Sequence, residues 1–426
     1  MTRFRATQKP HGKSTCTRVS LVQRSGMHPS SQIFLSFGVF CIAILLVSAP
    51  CLLNAANSQS PTSAPNVANG GQGAIEPLRG LSRTNLLEIR AGSGGGTVKA
   101  ADASQWQARR AEALEGFQKV AGKLPSKEDA CALEPAVVEE EDCGAYVRRL
   151  ISYQSQPGGR VPAYLCIPKA ALNGEKAPAV LCLHPTENKI GFKVVVGLGG
   201  KPHRQYATEL AERGFVTLSP SYPLLADYQP DLKALQMPSG TMKAIWDNIR
   251  GLDYLQSLPF VDSQHGFAAI GHSLGGHNAI FTSIFDARIR VVVSSCGFDS
   301  LLDYYGGNLK GYVQERYMLA MGEFMHNAAA VPWDYYELIA CLAPRLVYVN
   351  APIRDANFRW DSVDRVANAA RPVFALHGVP ENLLIRHPDC EHDFPDNERM
   401  ESYEWIARGL NWKKGPTKLP SKNPER

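Results

Sequence analysis

The sequence predicts an α/β protein built on a mostly parallel sheet with helices on both faces. From residue 179 onward, short apolar runs alternate with longer amphipathic segments, the rhythm of repeated strand–helix units. Residues 179–183 form a continuous apolar run, which is typical of a strand covered on both faces. One later run, residues 266–270, leads through the hexapeptide Gly271-His-Ser-Leu-Gly-Gly276 into a second apolar segment. Together these observations predict a mostly parallel sheet in which one strand ends at a glycine-rich turn.

Three strand candidates precede the alternating part. They cover residues 136–140, 146–153 and 161–167, and Gly158-Gly159 supplies a hairpin turn between the second and third. These candidates predict antiparallel strands ahead of the parallel part of the chain.

The remaining elements follow in alternating order, with one interruption. Further strands are predicted at 179–183, 215–218, 266–270, 289–295, 345–349 and 382–386, and helices at 204–213, 241–255, 277–285, 361–374 and 397–410. Residues 297–339 interrupt the alternation as a lid-like insertion. Its aromatic side chains and its Gln314 and Arg316 fit two interpretations, a roof over the site that shapes specificity or ordinary core packing.

The chain before the sheet divides by composition. Residues 1–56 contain six basic residues and no acidic one. The basic residues come first, and an uncharged apolar stretch follows them at 33–53. This order predicts an export signal or an N-terminal membrane anchor. The composition of residues 57–77 predicts a disordered linker, and residues 78–130 are predicted to form a helical extension. The catalytic domain is expected at 131–412, with a flexible basic tail at 413–426. The protein is therefore expected to be exported, in the periplasm or secreted, with any membrane contact confined to the N-terminal anchor.

Charge and cysteine content exclude several functions. The net charge is +5, but it becomes −1 without the six basic residues of the first segment, so no nucleic-acid partner is expected. Seven cysteines follow residue 56 at spacings that match no zinc site, and we expect neither a metal nor a cofactor. Whether Cys131 and Cys143 pair as a disulfide is open from the sequence.

The hexapeptide at 271–276 matches Gly-x-Ser-x-Gly between a strand and a helix. This context predicts a nucleophile elbow, in which Ser273 lies on a turn so sharp that its hydroxyl projects above the strand ends. Gly271 and Gly275 would remove side chains that collide with the neighbouring strand and helix. The alternative is a glycine-rich turn with an incidental serine.

A serine nucleophile needs a base, and the base needs an orienting acid. Strand order places both after Ser273, with the acid before the histidine. Of the later histidines at 326, 377, 387 and 392, His392 lies in the loop before the last helix, where the base belongs. Asp355, just beyond strand 345–349, is the preferred acid, and Asp299, after the preceding strand, is the alternative.

An oxyanion hole needs two backbone N–H donors. The first is predicted at Leu274, at the start of the helix behind the nucleophile. The second is predicted in the loop after strand 179–183, where Pro185 has no N–H, so Thr186 is favoured and Glu187 is possible.

These motifs resemble the α/β-hydrolase superfamily. The resemblance rests on Gly271–Gly276, Asp355-Ala-Asn-Phe358 and Glu391-His-Asp-Phe-Pro395, covers about residues 130–412, and is nearest to exported bacterial proteins of the dienelactone-hydrolase, acetyl-xylan-esterase and prolyl-oligopeptidase-like branch. It implies a sheet of about eight strands and a triad of Ser273, Asp355 and His392. A serine in place of the dienelactone hydrolases' cysteine argues against that substrate.

The sequence therefore predicts a serine esterase that acts on carbohydrate or other small esters through an acyl-enzyme. Two alternatives remain at this stage. One is a peptidase or amidase that uses the same machinery, and the other is a non-catalytic binding protein on the same scaffold.

Overall fold

The computed structural model of the protein describes residues 80–92 and 95–413. The predicted signal or anchor at 1–56, the linker at 57–77 and nearly all of the tail lie outside the described residues. All described residues belong to one compact unit. Within the described ranges, no helix is both long enough and apolar enough to cross a membrane.

The central element is a mixed sheet whose strands run in the order β12-β11-β10-β9-β6-β7-β5-β4-β3, with β8 paired to the start of β6. A separate hairpin is formed by β1 and β2. The strands are β1 Glu88–Arg90, β2 Thr97–Lys99, β3 Ala136–Asp142, β4 Tyr146–Gln156, β5 Gly159–Pro168, β6 Ala177–Leu183, β7 Val216–Pro220, β8 Val261–Asp262, β9 Phe267–His272, β10 Ile289–Ser295, β11 Leu346–Asn350 and β12 Leu383–Arg386.

Pairing is antiparallel from β3 through β5 to β7 and parallel from β7 to β12. The nine strands predicted from the sequence are present as β3 to β7 and β9 to β12, where the resemblance implied about eight. β3 forms an exposed edge, and the structure adds the two-residue β8 and the separate β1–β2 hairpin.

The helices flank this sheet. They are α1 Ala103–Ala121, α2 Lys169–Leu172, α3 Tyr206–Glu212, α4 Gly240–Ser257, α5 Leu274–Phe285, α6 Tyr335–Ala340, α7 Trp360–Leu376 and α8 Asp396–Gly409. Successive residues of β6 alternate between two apolar cores. Leu181 packs into a core shared with α4, α5 and α7, whereas Val180 and Cys182 pack into one shared with α3 and α8. A strand buried on both faces explains why residues 179–183 are apolar without interruption. The predicted α/β class is confirmed.

The insertion at 297–339 is a series of short 3₁₀ turns that lead into α6. Both interpretations of its aromatic residues hold, for different side chains. Trp333, Tyr335 and Tyr336 are fully buried in the core, whereas Tyr304 and Tyr317 line a cavity next to Ser273. The insertion is thus packed into the domain and also forms part of the site wall.

The N-terminal extension is attached to this insertion by two buried arginines. Arg83 pairs with Asp334 at 3.3 Å and donates to the carbonyl of Val331 at 2.5 Å. Arg109, on α1, pairs with Glu337 at 3.2 Å. Asp334 and Glu337 form the capping box at the start of α6, so the extension fixes the helix that ends the insertion.

Candidate active site

Ser273 lies between β9 and α5 in a backbone conformation that non-glycine residues avoid. Its φ is 54° and its ψ is −120°, and its N–H donates to the carbonyl of Ser295 on β10 at 2.8 Å. The sharp turn follows from this conformation, since the chain leaves a strand and enters a helix across one residue. Strain at a single serine above the ends of parallel strands is the geometry of a nucleophile elbow.

The flanking glycines are required by close backbone approach. A Cβ on Gly271 would lie 2.1 Å from the carbonyl oxygen of Gly275, and one on Gly275 would lie 2.0 Å from the carbonyl oxygen of Leu183. Both contacts involve backbone atoms, which cannot rotate away. The spacing Gly-x-Ser-x-Gly therefore has a steric cause in this chain.

His392 and Asp355 are brought together, although 37 residues separate them. The Nδ1 of His392 lies 3.0 and 2.9 Å from the two carboxylate oxygens of Asp355. The side chain of Asp355 is 1% exposed, and its Oδ1 accepts the N–H of Asn357 at 2.8 Å. Because a carboxylate accepts hydrogen bonds, Nδ1 carries the hydrogen and Nε2 is left free to accept a proton.

The alternative residues are placed elsewhere. Asp299 is buried and accepts the N–H of Arg359 through Oδ2, at 3.1 Å, while its Oδ1 has no partner among the described residues. Burial raises the pKa of Asp299 to about 8. His387 forms a separate pair with Asp364 at 2.9 Å. Neither Asp299 nor His387 lines a cavity with Ser273.

Two cavities meet at Ser273. The larger, of 680 Å³, is also lined by His392 and by the charged residues Glu187, Lys201, Arg204, Arg354, Glu391 and Asp393. The smaller, of 280 Å³, is lined by residues of the insertion and of α5, among them His277, Tyr304, Tyr312, Gln314, Arg316 and Tyr317. Thr186 lies at the boundary and lines both.

The two predicted oxyanion donors lie on the wall of the smaller cavity. Leu274 is the first residue of α5, so its N–H has no acceptor within the helix. Thr186 follows Pro185, and its hydroxyl contacts that of Tyr317 at 3.0 Å. The loop is held by His184, whose Nε2 accepts the N–H of Tyr222 at 2.9 Å. Burial lowers the pKa of His184 to about 4, which keeps this acceptor unprotonated at neutral pH.

Sequence reasoning missed the groups that hold the His392 loop. Arg204, just before α3, is 4% exposed; it donates to the carboxylate of Asp393 at 2.5 Å and to the carbonyl of His392 at 3.2 Å. Asn350, at the end of β11, donates to the carbonyl of Asp393 at 2.9 Å. Burial opposes ionisation of Asp393, but hydrogen bonds from Arg204 and His203 hold its pKa well below the usual range. Arg204 and Asp393 are 189 residues apart, so no local pattern in the sequence indicates that they pair.

Cys296 lies beside the His392–Asp355 pair. Its Sγ and one ligand atom of each of those residues lie within 4.8 Å of one another, a grouping that metal ions use elsewhere. Two of these groups already bond to each other, Nδ1 of His392 and the Asp355 carboxylate at 2.9 Å, and the Cys296 Sγ lies 3.2 Å from the carbonyl oxygen of Asp393. Burial raises the pKa of the Cys296 thiol well above its usual value. Cys131 and Cys143, whose pairing the sequence left open, are free thiols.

Comparison with known proteins identifies the fold. No family model matches the chain, and no curated protein matches it by sequence. Among solved structures, a glucuronoyl esterase from Solibacter usitatus is 19% identical, with a TM-score of 0.62 over 79% of this chain and 97% of that one. A carbohydrate esterase family 15 glucuronoyl esterase from Caldicellulosiruptor kristjansonii is 17% identical, with a TM-score of 0.55 over 78% and 92%. Another from Teredinibacter turnerae is 17% identical, with a TM-score of 0.55 over 79% and 89%.

The chain has the α/β-hydrolase fold. The strand order, the turn at Ser273 and the likeness to these structures agree on that class. At this level of identity the likeness concerns the fold, and the chemistry has to be argued from the site itself.

Proposed function

We propose that the protein is a serine esterase whose triad is Ser273, His392 and Asp355. The observation that carries the proposal is the buried Asp355 carboxylate hydrogen-bonded to Nδ1 of His392, with His392 and Ser273 on the wall of one cavity. An imidazole held in this way keeps Nε2 free to act as the base for the serine hydroxyl. The solved structures of similar fold are described as glucuronoyl esterases, which supports ester rather than amide chemistry.

The mechanism proceeds through an acyl-enzyme. Nε2 of His392 takes the proton of Ser273 as Oγ attacks the ester carbonyl, and the N–H groups of Leu274 and Thr186 stabilise the resulting oxyanion. The C–O bond to the alcohol then breaks, and His392 gives its proton to the departing oxygen. Water, deprotonated by His392, attacks the acyl-enzyme and releases the acid, while His392 returns the proton to Ser273. Asp355 remains ionised and stabilises the imidazolium in both halves.

The proposed substrates are carboxylic esters of carbohydrates or other small alcohols. The larger cavity is open and lined by charged groups of both signs, which suits a hydroxyl-rich alcohol better than a lipid. Cavities of roughly 300–1,000 Å³ are typical of small-molecule sites.

The proposal is tested with purified protein covering residue 70 onward, the unit that contains all described residues. We expect labelling by a fluorophosphonate and hydrolysis of acetylated sugars, and we expect Ser273→Ala to abolish both. Arg160→Gln, on β5 and away from both cavities, is the control that should retain them. Aminoacyl amides run in parallel would reveal a peptidase, and the absence of Ser273-dependent labelling would favour the non-catalytic alternative.

We further propose that residues 1–56 direct export. The support is the basic start followed by the apolar stretch at 33–53. Expression of the full chain in a bacterium, followed by fractionation and N-terminal sequencing, should find the protein outside the cytoplasm. A cleaved N-terminus in the soluble fraction indicates a signal peptide, and an intact one in the membrane fraction indicates an anchor. Full-length protein in the cytoplasm would contradict export.

A further inference from the structure

We propose that the 280 Å³ cavity binds the acyl half of the ester and that Arg316 selects an acyl group carrying a carboxylate. The substrate class is then a monoester of a short dicarboxylic acid. This inference rests on the proposed esterase function and specifies which esters the site prefers.

The two cavities are assigned by which catalytic groups line each of them. The alcohol must receive its proton from His392, which lines the larger cavity and not the smaller one. Leu274 and Thr186, the proposed oxyanion donors, both line the smaller cavity. A carbonyl placed between them and Ser273 therefore directs its alcohol toward His392 and its acyl chain toward the insertion.

Charge distinguishes the smaller cavity. Arg316 is the one described side chain of its wall that is formally charged at neutral pH. Burial lowers the pKa of His277 to about 4, so its ring is neutral there. Burial also raises the pKa of Tyr304 to about 12, so its hydroxyl stays protonated. A ligand in this cavity therefore meets a single positive charge among neutral donors and aromatic faces.

Arg316 is held in place without a charged partner. Its Nε donates to Oε1 of Gln314 at 2.9 Å and its Nη1 to Oδ1 of Asn188 at 2.8 Å, and both acceptors are neutral. The guanidinium lies 5.3 Å from the ring centre of Tyr317. Its backbone carbonyl accepts the hydroxyl of Tyr222 at 2.9 Å. A fixed guanidinium whose remaining N–H groups have no carboxylate among the described side chains is suited to a carboxylate from a ligand.

The size of the cavity limits the acyl group. A volume of 280 Å³ lies just below the roughly 300–1,000 Å³ of sites that enclose whole drug-sized ligands. The aromatic rings of Tyr304, Tyr312 and Tyr317 suit a short methylene chain between the reacting carbonyl and a terminal carboxylate.

The test keeps the leaving group constant and changes only the acyl charge. Values of kcat/KM are measured for 4-nitrophenyl esters of glutarate (the monoester) and of pentanoate, with spontaneous hydrolysis subtracted. We expect the native protein to prefer the glutarate monoester by about tenfold or more, the scale of one charge-assisted hydrogen bond. In Arg316→Gln the ratio of the two values should fall at least tenfold, and Arg316→Lys should lie between the two.

The control is Arg408→Gln. Arg408 also stacks its guanidinium on an aromatic ring, 3.8 Å from the ring centre of Trp405, but it lies outside both cavities. It should keep the native ratio. A native preference for pentanoate, or an unchanged ratio in Arg316→Gln, would overturn the proposal. If neither ester is turned over in a Ser273-dependent way, the proposed function fails instead. Fluorophosphonate labelling of the Arg316 variants shows that the site is still assembled.

Discussion

Arg83 and Asp334 form an ion pair at 3.3 Å that is completely buried and joins residues 251 positions apart. Asp334 also caps α6 and accepts the N–H of Leu301, at the start of the insertion. The segment before the hydrolase sheet is therefore part of the structure that shapes the wall of the site.

We expect Arg83→Met to lower the free energy of unfolding by about 3–5 kcal/mol, because it leaves the Asp334 carboxylate buried without its cation. Arg90→Met is the control, since Arg90 forms a partly exposed pair with Glu112 and such pairs contribute about 0–1 kcal/mol. Urea denaturation of both variants measures the difference. Equal losses in the two variants would contradict the role given to Arg83.

Asp355→Asn should lower kcat by about 10³–10⁴-fold, because an amide cannot hold His392 in the tautomer that presents Nε2 as a base. Asp299→Asn should lower kcat by less than about tenfold, since Asp299 bonds to the backbone of Arg359 instead. Steady-state kinetics with an activated ester compares the two. A larger loss in Asp299→Asn would reassign the acid to the end of β10.

Asp299 also gives the fold a pH dependence. Its pKa is raised from 3.8 to about 8, so between these values the native state keeps a proton that the unfolded chain releases. The free energy of unfolding therefore falls as pH rises through this window. Asp299→Asn, which can still accept the Arg359 N–H, should remove that fall. We expect equal stability at pH 4 and a gain of more than about 1 kcal/mol at pH 9.

Thermal or urea unfolding at both pH values checks this expectation. Asp364→Asn serves as a comparison, because Asp364 is partly exposed and paired with His387. A gain of the same size at pH 4 and pH 9 would mean that Asp299 is already ionised in the native state.

Arg204 is expected to act on catalysis through the position of His392. Arg204→Gln removes the charge that holds Asp393 and should lower kcat about tenfold while leaving KM for a small ester nearly unchanged. The rate of fluorophosphonate labelling should fall with kcat. Arg386→Gln, which breaks a partly exposed pair with Glu401, should leave both rates within about twofold. A loss of stability in Arg204→Gln at unchanged kcat would make Arg204 only structural.

The sequence was sufficient to predict the order of the nine main strands and of the helices between them, and to name the residues that the structure brings together. It did not predict the short elements β1, β2, β8, α2 and α6. Ser273 was identified because its strand, turn and helix are consecutive, and His392 because strand order leaves one suitable loop. Contacts between distant segments carried no such signal. The pairing of Arg204 with Asp393, the burial of Arg83 and the neutral partners of Arg316 depend on packing across the domain. The sequence also could not divide the aromatic residues of the insertion between core and cavity.

The left-handed backbone at Ser273 has a consequence for how long the protein lasts. A non-glycine residue held at such a conformation costs of order 1–3 kcal/mol, and glycine adopts it without that penalty. The backbone conformation that positions the Ser273 hydroxyl therefore lowers the stability of the folded state. The variant Ser273→Gly would be inactive and would resist unfolding better than the native protein. Heating is therefore expected to unfold the native protein at a lower temperature than this variant.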